Sequence, residues 1–310
     1  MASGLRTLRE GLARHRRPML AVFVVGSLLL ALGLGVPDRP YLLVWTVVLA
    51  ALVGVANPQP WARVLVDWLP VLVIAAGYDL VRDFAPDLVT RAVTEPQLRF
   101  DEILFGGTAP TVRLQRLLVD RGTPHWWDYG VWLFYLSHFV VTPTIAVWLY
   151  LRHREWFRRY ALMILGVTLM AFATYFVLPA IPPWLASRQR DLQPTTRIVH
   201  AVWQSLGATG PAKVFAGDSK LANPVAALPS LHAAWPFVAL LFLWTKTPRL
   251  RWVLLAYNLT MTLVLIYGAE HYLSDILLGW CYALVTVVVV TRLFDRGVER
   301  SASRDPASAS

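Results

Sequence analysis

Two histidines and one aspartate carry the clearest chemistry in this chain: His232 in ALPSLHAAWP, and His271 with Asp275 in GAEHYLSD. His271 and Asp275 are four residues apart, which on a helix is about 6 Å of rise on a shared face. A carboxylate so placed can accept a hydrogen bond from one imidazole nitrogen and fix the tautomer. The other nitrogen is then left as a base or nucleophile. An unperturbed imidazole titrates near pH 6.5, so such a ring is usable around neutral pH. A lone histidine of this kind is commonly a satisfied polar anchor. Two at matched membrane depth, one with its own carboxylate, point instead to a functional cluster.

The elements that must position these residues are apolar. The chain has 310 residues, 56% hydrophobic and only 15% charged. Its apolar stretches recur at lengths of about 17–25 residues, enough to cross a bilayer core of roughly 30 Å as helices. The expected fold class is therefore all-α, a polytopic helical membrane protein of about eight transmembrane helices with a catalytic bundle opening to the outer face. Spans are expected near 19–36, 41–56, 62–84, 128–151, 158–178, 228–245, 252–269 and 272–294. Soluble classes are excluded, and no cleavable leader is expected. The single cysteine, Cys281, lies in an apolar run, so neither an internal disulfide nor a metal-thiolate site is expected.

The net charge of +10 comes mostly from arginine in short segments. These are the first seventeen residues, RHREWFRR at 152–159, TKTPRLR at 245–251 and the start of the tail after 291. With eight spans all four fall on one side, which the positive-inside rule makes cytoplasmic. Topology thus accounts for the basic balance, and no nucleic acid is expected as a partner. His232 and His271 then both lie at the outer face. The expected organisation is a basic cytoplasmic segment over 1–18, a transmembrane hairpin over 19–60, a catalytic membrane domain over 61–294 and a disordered tail over 295–310. Two outer loops, 85–127 and 179–227, interrupt the domain. In the first, EPQLRFDEILFGGTAPTVRLQRLLVD has helix-like spacing of Leu98, Ile103, Leu114, Leu117 and Leu118, broken by GGTAP, and reads as two short helices lying along the outer interface. Gly268 and Gly279 would permit close helix approach.

LPSLHAAWP and HYLSD resemble the second and third motifs of the type 2 phosphatidate phosphatase superfamily, the integral-membrane lipid phosphatases and phosphotransferases. The branch of inositol phosphorylceramide synthases and their bacterial relatives is most similar, because Leu231 stands where the phosphatases have glycine. TYFVLPAIPPWLA and FYLSHFVVTP are also similar to bacterial members, and the resemblance covers roughly residues 60–294. It implies that His271 attacks phosphorus and becomes a phosphohistidine while Asp275 orients it. His232 would serve as general acid and then as general base, and Ser230 would hydrogen-bond a phosphoryl oxygen. No metal or other cofactor is implied.

Two departures from the family pattern leave the phosphoryl charge without its usual cations. Leu265 replaces an arginine, and the first motif has no counterpart. Arg82, in GYDLVRD with Tyr78 and Asp79, and Lys220 are the favoured replacements. Arg188, Arg190, Arg197 and Lys213 are further basic residues of the outer loop. As alternatives, Arg82 would be a snorkelling interfacial arginine and Lys220 a solvated loop residue. His138, in the fourth span, is either a helix-packing histidine or a supporting residue of the site, together with Tyr78 and Asp79.

The resemblance implies a membrane enzyme acting at the extracytoplasmic face on a phosphorylated lipid, as phosphatase or as inositol-phosphoryl-type phosphotransferase. The arginine-rich, lysine-poor composition suggests a bacterial plasma membrane, with both termini cytoplasmic. Oligomeric state is open. A transporter or channel with a polar outer mouth is the alternative, but it should show matched broken helices in two repeated halves. None is visible.

Overall fold

The computed structural model describes residues 61–120, 123–215 and 223–304, with Val22, Gly26 and Val48 as isolated positions. The first expected domain boundaries, the spans over 19–36 and 41–56, and Lys220 lie outside the described residues. The described chain is helical. Its order is α1 (Trp61–Val89), α2 (Glu95–Leu104), α3 (Pro110–Leu118), α4 (Trp126–Arg152), α5 (Arg154–Val177), α6 (Pro183–Gln189), α7 (Ile198–Ser205), α8 (Thr209–Phe215), α9 (Leu231–Leu243), α10 (Leu250–Tyr267) and α11 (Leu273–Arg304).

Among the described residues four helices are long and apolar enough to cross a membrane: α4, α5, α10, and α11 as far as Arg296. The protein is thus an all-α integral membrane protein. Helix α1 has the length but carries Arg63, Asp67, Asp79, Arg82, Asp83 and Asp87. Helix α9 is shorter than the expected 228–245 because the extended Ser230 caps it and the helix starts only at Leu231. The last helix runs beyond the expected end at 294 to Arg304, over the first part of the tail expected to be disordered, and Arg159 pairs with its Asp295 at 3.6 Å.

The core lies between the long helices. Trp68 of α1 packs edge-on to Tyr150 of α4 and against Phe157 of α5, alongside Met163, Val167 and Leu243. At one end of this core Asp67 is buried and accepts from both Arg154 and Arg158, the latter at 2.8 Å. That end also holds the short basic connections α4–α5 and α9–α10.

At the opposite end the two long loops are laced together. Val93, Ala180 and Ala226 form parallel bridges, and Ala227 donates to the Ala180 carbonyl at 3.2 Å. The two short helices α2 and α3 form within the stretch whose apolar spacing predicts them. Gly106 and Gly107, both at positive φ, make the turn between them, a conformation other residues adopt at a cost.

Candidate active site

The N-termini of α9 and α11 meet. The Ser230 amide donates to the Asp275 carbonyl at 2.9 Å, and α11 passes so close at Gly279 that a Cβ there would stand 2.6 Å from the Ser230 carbonyl oxygen. That oxygen is backbone and cannot swing aside. Gly279→Ala is therefore expected to push α9 away, costing about 1–3 kcal/mol of stability. Turnover should fall at least about tenfold through the misplaced site. Thermal unfolding and kcat of the purified variant check both, and wild-type values of each would show that the approach is not constrained.

Three motif residues come together here. His271 is buried, and its Nδ1 lies 3.0 Å from the Ala227 carbonyl and 3.4 Å from Asp275 Oδ2. A carbonyl oxygen only accepts, so Nδ1 carries the proton and Nε2 presents its lone pair. The spacing in HYLSD suggests the carboxylate as the main partner. In the structure the Ala227 carbonyl is the nearer one, with the Ala227 amide held by the Ala180 carbonyl, and Asp275 shares Oδ2 with the Tyr272 amide at 2.9 Å.

The His232 ring lies 5.8 Å, centroid to centroid, from that of His271. A nucleophile sits roughly 3–3.5 Å from the atom it attacks, and an acid–base group one hydrogen bond from the leaving oxygen. The gap between the rings suits a phosphoryl group touching both. Tyr135 stacks on His232 at 4.7 Å and His138 lies at 4.4 Å, itself stacked on Trp235. Pro236 lacks the N–H that would bond the His232 carbonyl within α9. His138 of α4 joins the ring cluster around His232.

Ser230 is fully buried and caps α9, its Oγ accepting from the Ala233 amide at 3.3 Å. The hydroxyl proton remains to be donated. Arg82 is buried on α1, its guanidinium 5.7 Å from the Tyr78 ring centre. Tyr78 is within electrostatic reach of Tyr135 and of Tyr175, and Tyr175 donates to the Pro229 carbonyl at 2.8 Å. Asp79 lies on the same helix, its side chain outside what the structure describes.

Arg197 is closer to the chemistry than the sequence weighting implies. It makes a two-pronged pair with Glu270, both bonds 2.8 Å, and bonds the Phe215 carbonyl. Its guanidinium lies over Trp184 at 4.3 Å. Burial opposes the charge, yet Glu270 holds the guanidinium protonated more firmly than usual. A readable signal existed: Glu270, beside His271 in an apolar stretch, needs a cation if buried. The carbonyl of Ala227 and the carboxylate of Asp101, which reaches the start of α11, had no signal in the sequence. Among the described residues no three His, Cys, Asp or Glu side chains form a group that could hold a metal.

Residues 114–289 match the family described as the PAP2 superfamily. The chain is 30% identical over 250 residues to the phosphoinositol dihydroceramide synthase of Bacteroides thetaiotaomicron, covering 73% of this chain and 76% of that protein. It is also 30% identical over 186 residues to the inositol phosphorylceramide synthase catalytic subunit aur1 of Schizosaccharomyces pombe, 54% of this chain and 40% of that one. No solved structure matches the chain.

Proposed function

The chain belongs to the PAP2 superfamily, and from that premise we propose that it is a lipid phosphotransferase working through a phosphohistidine on His271. Nε2 of His271 attacks phosphorus, and the P–O bond to the lipid alcohol breaks as protonated His232 gives its proton to the leaving oxygen. Neutral His232 then takes the proton of the incoming alcohol. The alcohol oxygen bonds phosphorus, the P–N bond breaks, and its electron pair returns to Nε2. Water in place of the alcohol gives a phosphatase by the same route. The observation that carries this reading is the His271 imidazole, held Nδ1–H by Ala227 and Asp275 with His232 facing it.

Asp275 steadies the imidazole as it becomes cationic. Ser230 and Arg82 supply donors to the phosphoryl oxygens, and Lys220 is the further cation proposed for them. The chemistry needs no metal, since the nucleophile, the acid and the donors are all side chains. Transfer is favoured over hydrolysis because both relatives above are named as synthases.

The reading places the site at the extracytoplasmic face of a bacterial plasma membrane with both termini inside. It is supported by the Arg-rich turns around Arg152–Arg159 and Lys246–Arg251, which close the helices at the end away from His232 and His271.

The test is a panel of phospholipids and lipid phosphates given with and without a ceramide-type acceptor to right-side-out vesicles, following new lipid and free phosphate together. A new phospholipid that requires the acceptor, made without opening the vesicles, is the expected outcome. Phosphate release alone would reassign the protein as a phosphatase. Turnover only after the vesicles are opened would put the site on the other face.

A further inference from the structure

Helix α2 buries two polar residues. Gln97 and Asp101, one turn apart, are 2% and 0% exposed, whereas Ile103 is 81% exposed and Phe100 and Leu104 face outward with the charged Glu95 and Arg99. That mixed outer face suits a helix seated in the membrane interface, and the buried face delivers a carboxylate to the start of the helix that carries Asp275.

The first amides of a helix have no acceptor within it. In α11 the Leu273 amide donates to Asp101 Oδ2 at 3.1 Å. Asp275 meanwhile takes the Tyr272 amide and faces His271 Nδ1 through one oxygen. An aspartate in the first turn of a helix is drawn to that helix's own free amides. Left alone, Asp275 would be drawn away from an imidazole it holds at only 3.4 Å.

We propose that Asp101 is a positioning residue for the nucleophile: by occupying the Leu273 amide from a separate helix, it leaves the Asp275 carboxylate for Tyr272 and His271. The inference rests on the proposed role of His271. Burial pushes the Asp101 carboxyl up to about 6, with the Leu273 amide pulling it down and the charge of Asp275 pushing it further up. A carboxyl raised on folding stabilises the folded state at low pH, and that contribution is lost as pH rises through about 6. Its buried charge at neutral pH is thus held at a cost in stability, the pattern of a group retained for position.

Asp101→Ala and Asp101→Asn are the variants to make, since asparagine keeps an acceptor oxygen for the amide. Alanine is expected to lower kcat about 10- to 100-fold with KM within about twofold, and asparagine to restore most of the loss. The ¹⁵N resonances of His271 in labelled protein are read alongside. The Ala227 carbonyl should keep the proton on Nδ1 in every variant, so the readout is the Nδ1 chemical shift: Asp101→Ala is expected to move it in the same direction as Asp275→Ala, because both take the carboxylate away from Nδ1. Wild-type kcat per folded molecule together with an unchanged Nδ1 shift would overturn the proposal, even if the folded fraction falls. Absence of His271-dependent turnover in the wild type would sink the proposed function alone, and the Nδ1 shift would still decide the role of Asp101.

Discussion

Replacing His271 by alanine is expected to remove at least about 10⁴-fold of the turnover, because without Nε2 there is no group to form the covalent intermediate. The loss should appear in both half-reactions: no lipid alcohol released from donor alone, and no product with acceptor present. Helix packing should survive. His271 contributes one hydrogen bond to the Ala227 carbonyl, and the Ala180 bridges that hold Ala227 do not involve it. A thermal midpoint within a few degrees of wild type is therefore expected. Near-wild-type turnover by a folded His271→Ala protein would contradict the assignment of the nucleophile.

The second large effect belongs to His232. Its removal should lower turnover by about 10²–10⁴-fold, the usual range for a general acid–base group, and should do so unevenly. With a natural lipid the leaving alcohol needs a proton, so both steps slow. With a p-nitrophenyl leaving group the first step needs no acid, and only the second step lacks its base. His232→Ala is then expected to release a burst of nitrophenol equal to the enzyme present and afterwards to stall. Equal loss on both substrates, with no burst, would mean that His232 binds rather than transfers protons. Its neighbours favour the acid–base role: the ring is held between Tyr135 and His138 on one side and faces His271 on the other.

Much of this arrangement is legible in the sequence. The apolar runs give α4, α5 and α10, and the start of α11, within a few residues, because a membrane helix must satisfy its backbone internally and so announces itself by length and hydropathy. The two short helices between α1 and α4 are read from the apolar spacing broken by GGTAP, whose glycines hold positive φ. His232, His271 and Asp275 are read from motif spacing, and the structure brings them to one place.

What stays hidden depends on long-range pairing. The Ala227 carbonyl acts through a backbone atom and carries no residue signature. Asp101 is 174 residues from Asp275 and looks like an ordinary acid on a charged helix face; only the inward turn of α2 reveals its use. Arg197 was one of several loop cations, and its pairing with Glu270 is what distinguishes it. The buried Asp67 with its two arginines at the opposite end belongs to the same class, a pairing across helices that spacing alone does not disclose.

The central claim is that phosphorus is carried on His271, and the most direct measurement is to look for it there. His232→Ala protein is mixed with the nitrophenyl substrate, quenched in alkali, which preserves phosphohistidine, and digested for mass mapping of the peptide around HYLSD. The account expects one phosphoryl-linked group per folded protein on His271, acid-labile, and absent when His271 is also replaced. Modification of another residue, or none despite a stoichiometric burst of nitrophenol, would contradict it.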